Sequence, residues 1–430
     1  MDLPYLRPRE YKIKSVTRFN GLNLTADAAE GDSGFEENLS SGDYPQLAVR
    51  GKRKLFQTTP APVEGMASDG GLAAVYGGRL YYNGLPTPVE NLTAGEKQIV
   101  PFGAYICVFP DKVYYNTADD TDFGSMEAHF VSSLSVACEM CTLAGGNLTV
   151  QHTGATEPAN PGHGDYWLNT SDYGYGLYVY DSPSGSFSAV AAAYTRITFP
   201  TKDVITKRFN EGDAVEICDA PTDSLNGLKA LHRVFANEAG FDCIVIEGLC
   251  PGAISGSGIK IHRSVPDMDY VCACRNRLWG CFFGNDGKNN LNEIYACALG
   301  DFKNWQSFFG ISTDSFVSSV GSPGKFTGAA DYMGSPCFFK EDRLHRVTVS
   351  AVGAHSVSDT PMSGVAPNCG KSLVVSGGSL YYKAREGFMV WQGGMPSNIS
   401  GKLGELNDSE CTSAGTMGSL YYAAIKDKNG

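Results

Sequence analysis

One short phrase is written six times along the chain, and it limits the possible folds more than any single residue does. It consists of an apolar run, a tight turn, then Arg, Lys or Ser, then Leu or Val, and usually an aromatic. The copies span residues 75–81, 108–114, 273–279, 338–345, 375–381 and 415–421. Each is a β-hairpin signal, because Gly, Asn and Asp accept the positive φ that two-residue turns demand. Where copies follow one another closely, they lie roughly 33–40 residues apart, the repeat expected of β-propeller blades. A longer gap between the second and third copies marks an insertion.

Composition agrees with an all-β chain. The 430 residues include 51 Gly, 22 Tyr and 22 Phe, which suits many turns joining aromatic-rich strands. A hydrophobic fraction of 42% supplies enough apolar side chains for buried cores. Helical periodicity is scarce, and its best short candidate is Leu228–Glu238. The formal charge of −12 argues against a surface built to grip nucleic acid. It remains compatible with a wall along which DNA slides, since like charge prevents adhesion.

The opening Met1-Asp2-Leu3-Pro4-Tyr5 continues without an apolar h-region, so no secretory leader is expected. No run of 18 apolar residues is present to span a membrane. Thirteen scattered cysteines, an odd number, read as buried or unpaired thiols made in a reducing cytoplasm.

Five regions are expected. Residues 1–60 form an extended N-terminal arm whose short apolar patches are each surrounded by turn residues. Residues 61–145 carry the first propeller blades. A small β-module at 146–198 and a barrel-like β-module at 199–264 are inserted before the remaining blades at 265–430. The final stretch, Leu420–Gly430, reads as a strand and a turn with no partner strand after it, so the natural chain is expected to continue further.

Motifs of chemistry are few. Cys138 and Cys141 have CxxC spacing, but a zinc site needs a second ligand pair, and none follows. Cys272 and Cys274 fall on one strand face at core positions. The seven histidines show no metal-ligand spacing, and His345 replaces the aromatic of the repeated phrase. There is no G-x-S-x-G elbow and no Walker A loop. No catalytic, metal-binding or cofactor-binding residue is assigned, and no cofactor is expected. Two groups are candidates for partner contacts. The first is the basic cluster Arg50, Lys52, Arg53 and Lys54, which otherwise reads as a solvated charge run. The second comprises Tyr166 and Trp167, which could stack on sugars or fill the core of their own module, as could Tyr178 and Tyr180.

Gly300-Asp301-Phe302-Lys303-Asn304-Trp305 is similar to the Asp-box turn of sialidase-type propellers, which is structural and remote from the active site in that family. Together with Arg277-Leu278-Trp279 and Asn292-Glu293-Ile294-Tyr295, it also resembles the propeller core of phage tail nozzle proteins, also called tail tubular or packaged-DNA stabilisation proteins. Phe19-Asn20-Gly21-Leu22 and the stretch from Tyr44-Pro45 to Arg50 are similar to the openings of such proteins.

This resemblance implies a non-enzymatic structural protein of the virion, located in the tail or head–tail connector and made in the host cytoplasm. It implies a homo-hexameric ring lining the DNA channel, joined to other tail or connector proteins, with transient contact with DNA that is not sequence-specific. Two rival expectations are a glycan- or receptor-binding adhesion propeller and a sialidase-like glycan hydrolase.

Overall fold

The computed structural model describes residues 15–40, 43–52, 54–55, 57–306, 313–350, 353–404, 409–418 and 420–426. Among these, three single-turn 3₁₀ helices are the only helical elements, and all other regular structure is β. The best helical candidate, 228–238, is a correction to the sequence reading. Gly227–Ala230 and Arg233–Ala236 are strands belonging to two different sheets. Val234 and Phe235 gain more by pairing with Ile244 and Cys243 than an isolated helical turn would give them.

Five four-stranded antiparallel meanders account for most of the chain outside residues 128–263. Sheet I comprises Val63–Ser68, Leu72–Tyr76, Arg79–Tyr82 and Leu85–Glu90. Sheet II comprises Gln98–Phe102, Tyr105–Phe109, Val113–Asn116 and Phe123–Ser125. Sheet III comprises Tyr270–Cys274, Arg277–Asn285, Asn290–Ala296 and Phe316–Ser319. Sheet IV runs in order through Gly328–Tyr332, Ser335–Phe339, Arg343–Val349 and His355–Pro361. Sheet V comprises Val374–Ser376, Ser379–Ala384, Gly387–Trp391 and Ser397–Asn398. A two-stranded ribbon, Glu410–Met417 with Leu420–Lys426, follows.

All six copies of the repeated phrase form hairpins, and Ser419 of the last copy lies outside the described residues. Register recurs among them. Val75 pairs with Leu80, Ala273 with Leu278 and Val375 with Leu380, across turns made by Gly77-Gly78, Arg275-Asn276 and Gly377-Gly378. Both residues of each turn have φ between +50° and +76°, the mirror-image turn that matches strand twist. The phrase is nevertheless not confined to one strand pair. It joins the second and third strands of sheets I, II and IV, but the first and second strands of sheets III and V. That one-strand offset, together with the long connection after Ala296, widens the interval between the third and fourth copies.

The chain divides into two compact units, one of Pro60–Cys337 with Arg346–Ser358, the other of Met1–Thr59, Phe338–His345 and Asp359–Gly430. Within the first unit, sheet II is buried on both faces. Ile106 and Val108 join Ala73, Val75, Leu80 and Val89 of sheet I in one core. The alternate residues Cys107 and Phe109 join Val271 and Leu278 of sheet III, and Cys297 just after it, in another. Side chains alternate along a strand, so an unbroken apolar run such as 106–109 is what a doubly covered sheet requires. The first strands of sheets I, II, III and IV lie beside one another in chain order.

Residues 128–263 leave sheet II and return to sheet III as one inserted body. Its two sheets are Ala128–Val131, Lys260–Arg263, Ala214–Cys218 and Gly227–Ala230, and Arg233–Ala236, Asp242–Glu247, Tyr194–Thr198, Val136–Cys141 and Ile254–Gly256, each in spatial order. They enclose a single core that includes Phe130, Ile197, Phe199, Val215, Ile244 and Ile261. A smaller sheet of His152–Gly154, Tyr166–Asn169, Gly176–Asp181 and Ser186–Ala189 is carried between two strands of this body. Tyr194–Thr198, expected to close the first module, is paired on both sides within the larger sheet, to Val136–Cys141 and to Asp242–Glu247.

Among the described arm residues, regular structure is limited to two-residue pairings, Gly21–Leu22 with Asp32–Ser33 and Leu39–Ser40 with Ala48–Val49. The ribbon in the same unit is tied to sheet V through Tyr421, which stacks on Tyr381 and donates its hydroxyl to the Ser372 carbonyl at 2.8 Å.

Candidate functional site: surfaces of the arm and the insert

Arg50, Lys52 and Lys54 are exposed on the arm, and Arg53 lies outside the described residues. The Arg50 amide donates to the Asn38 carbonyl at 2.8 Å, which fixes the start of the basic run against the preceding turn. Among the described residues, the three side chains form no ion pair, so their charge is turned outward.

Trp167 is placed differently. It is buried, its ring packs on Tyr178 and Phe187, and its indole N–H donates to the Gly154 carbonyl at 3.0 Å. Tyr166 is half-buried against the core of the insert. Both therefore hold the small sheet together. The exposed aromatics of that module are Tyr173, fully exposed, and Tyr175, on the loop between Tyr166–Asn169 and Gly176–Asp181. Asn169 Oδ1 accepts from the Ser171 amide at 2.9 Å, and the Gly174 amide donates to the Ser171 carbonyl at 3.2 Å, so the loop is internally tied. A Cβ at Gly174 would lie 2.5 Å from the Asn169 side-chain nitrogen, so a larger residue here would have to displace the Asn169 side chain. The sequence signal was the Tyr173-Gly174-Tyr175 triplet among turn residues, where aromatics have no strand to pack on.

The turn at 300–305 is a junction. The Lys303 amide donates to Asp301 Oδ1 at 3.0 Å, Asn304 Nδ2 donates to Asp301 Oδ2, and Trp305 donates its indole N–H to the Phe302 carbonyl at 2.9 Å. Asn304 then reaches into the insert, where its Oδ1 accepts from the Ala214 amide at 2.8 Å and its Nδ2 donates to the Gly212 carbonyl at 3.4 Å. Phe302 packs among Phe102, Tyr105 and Tyr114 of sheet II. The Lys303 ammonium sits 4.1 Å from the Tyr114 ring centroid. Burial, and secondarily the Arg263 charge, lower the Lys303 pKa, while burial and Asp122 push the Tyr114 phenol up to about 12. Beneath lies the buried pair of Arg263 and Asp213, with Arg263 also donating to the Met126 and Arg208 carbonyls. Burial pushes the Asp213 carboxyl up, with Arg263 opposing it. The bonds of Asn304 and Arg263 join insert to sheets and leave neither side chain free for chemistry.

Cys138 and Cys141 sit three residues apart on one strand, so they point to opposite faces and cannot converge on one ion. Burial raises both thiols, and that of Cys141 to about 11. All thirteen cysteines are free, and twelve of them are buried, which keeps nearly all of these thiols from reacting with solutes. Among the described residues, no group of three His, Cys, Asp or Glu side chains is placed to hold a metal. No helix among them is long and apolar enough to cross a membrane. A small cleft near Asp69, Tyr82, Tyr105 and Thr117 offers about 30 Å³, enough for one or two waters. No protein-family model matches the chain, and no curated protein matches it significantly.

Proposed function

We propose that sheets I to V are successive blades of a β-propeller, and that the chain is a non-catalytic structural protein of a bacteriophage tail or head–tail connector. In this reading copies assemble into a ring, the propeller is a rigid wall element, and the insert meets neighbouring tail proteins. The observation that carries the propeller reading is the burial of sheet II on both faces, against sheets I and III, with the first strands of sheets I to IV side by side. A sandwich has two sheets around one core, whereas a propeller repeats sheet against sheet around an axis. The net charge of −12 supports a channel wall past which DNA moves without adhering. The phage assignment itself rests on the resemblance of 270–305 and of the arm to tail nozzle proteins.

The experiment is mass photometry and negative-stain microscopy of the purified chain, which should give a closed ring, six copies being the resemblance's expectation. A strict monomer at micromolar concentration overturns the ring. A second reading, a glycan-binding propeller, is favoured by the exposed Tyr173 and Tyr175, which present two rings on a tied loop. Specific retention on a glycan array, abolished by Tyr173→Ala with Tyr175→Ala, would favour it over the ring.

A further inference from the structure

We infer that the arm is the surface by which one copy of this chain holds the next, Arg50, Lys52 and Lys54 of one copy lying against Asp27, Glu36 and Glu37 of its neighbour. This rests on the ring-forming reading above and names the contact that such a ring needs.

The first observation is apolar exposure. Among the described arm residues, Asn23 is the one buried residue, and the Asp32 carboxylate is the further enclosed group, held by Asn23, the Ala29 amide and Lys402. Phe35 is 76% exposed, Val49 81% and Leu55 82%, and Leu24, Tyr44 and Leu47 are also exposed. Single exposed apolar residues are ordinary, but this many in one short stretch, with almost nothing buried among them, mark a surface completed by another protein.

The second observation is charge, and it selects the occupant. Arg50, Lys52 and Lys54 are exposed and form no ion pair among the described residues. Asp27, Glu36 and Glu37 form none there either, although the two segments are close in sequence. The pairing of Leu39–Ser40 with Ala48–Val49 and the Arg50-to-Asn38 bond fix the local path of the arm without bringing these charges together. One chain thus offers both halves of a complementary contact. A head-to-tail arrangement satisfies both in every copy once the ring closes. Each charged segment also carries its own apolar anchors, Phe35 beside Glu36, and Val49 and Leu55 flanking the basic run, as an interface with a hydrophobic centre and charged rim requires.

The test uses the full chain and three variants: Arg50→Glu with Lys52→Glu and Lys54→Glu; Asp27→Lys with Glu36→Lys and Glu37→Lys; and all six together. Assembly is followed by mass photometry and multi-angle light scattering, with circular dichroism melts to confirm folding. Each triple variant should assemble roughly tenfold more weakly or worse, and the sixfold variant should recover. A wild-type chain that stays monomeric overturns this inference together with the ring reading. A wild-type ring indifferent to both triple variants overturns this inference alone and gives the arm to a different protein. Triple variants that weaken without recovery in the sixfold variant overturn the pairing of these two segments.

Discussion

Leu278 and Leu380 hold the same place in their hairpins, just past the turn, and both are completely enclosed. Leu→Ala at either should cost about 2–5 kcal/mol in urea unfolding, because the strands around them cannot close over the cavity. Asp242 is a polar counterpart. Its carboxylate accepts from the amides of Val204 and Ile205 at 3.0 and 3.1 Å and from the hydroxyls of Thr201 and Thr206 at 2.9 and 3.0 Å. Burial works to raise its pKa, and these donors overcome that and hold it below the ordinary carboxylate range. Its contribution is therefore complete above about pH 4 and is lost as pH falls through the lowered value. Asp242→Asn should cost about 1.5–3 kcal/mol at neutral pH and flatten the acid limb of the stability profile. Residue roles were unevenly legible in the sequence. The buried leucines followed from hairpin register alone. Trp167 could be read as core or as a sugar-stacking ring, because an aromatic on a short strand has the same local pattern whether its face is covered or open. Asp242 left no local signal, since its donors lie about forty residues earlier.

Among elements, the hairpins were legible because a turn needing positive φ leaves Gly, Asn or Asp between two apolar runs. Which strand pair each hairpin joined was not legible, because the phrase does not record how many strands precede it. The closing of the insert by a pairing across more than a hundred residues, Ala128 with Arg263, was equally invisible to a local reading. That pairing brings His129 opposite His262, ring centroids 4.4 Å apart. Burial, and then the neighbouring His129, lower the His262 pKa. The unfolded chain therefore takes up a proton that the folded chain resists, and stability should fall as pH drops below about 6.5. His129→Gln should reduce that loss, which thermal melts between pH 7 and pH 5 would measure. The junction turn gives another expected outcome. Asn304→Ala removes a donor to Asp301 and the acceptor of the Ala214 amide, leaving that buried amide unpaired at a cost of about 1–3 kcal/mol. Hydrogen exchange should rise first at 212–214, where the insert meets the turn.

For the whole molecule, repeat spacing and unbroken apolar runs carried the all-β architecture into view. The division into two units did not show, because it joins residues before 60 to residues after 358. Net charge also belongs to this scale. With −12 spread over 430 residues, the chain should give no stable mobility shift with duplex DNA at about 0.15 M salt, and neutral-pH titration by fluorescence anisotropy would check this. The entry and exit of the insert carry a last consequence. A strand that departs at Ala128 and comes home at Arg263, its ladder partner, passes out and back through a single doorway. Whatever lies beyond that doorway can be exchanged, enlarged or lost without re-threading the layers on either side. A lineage of such chains could trade one cassette for another while its framework stayed unaltered.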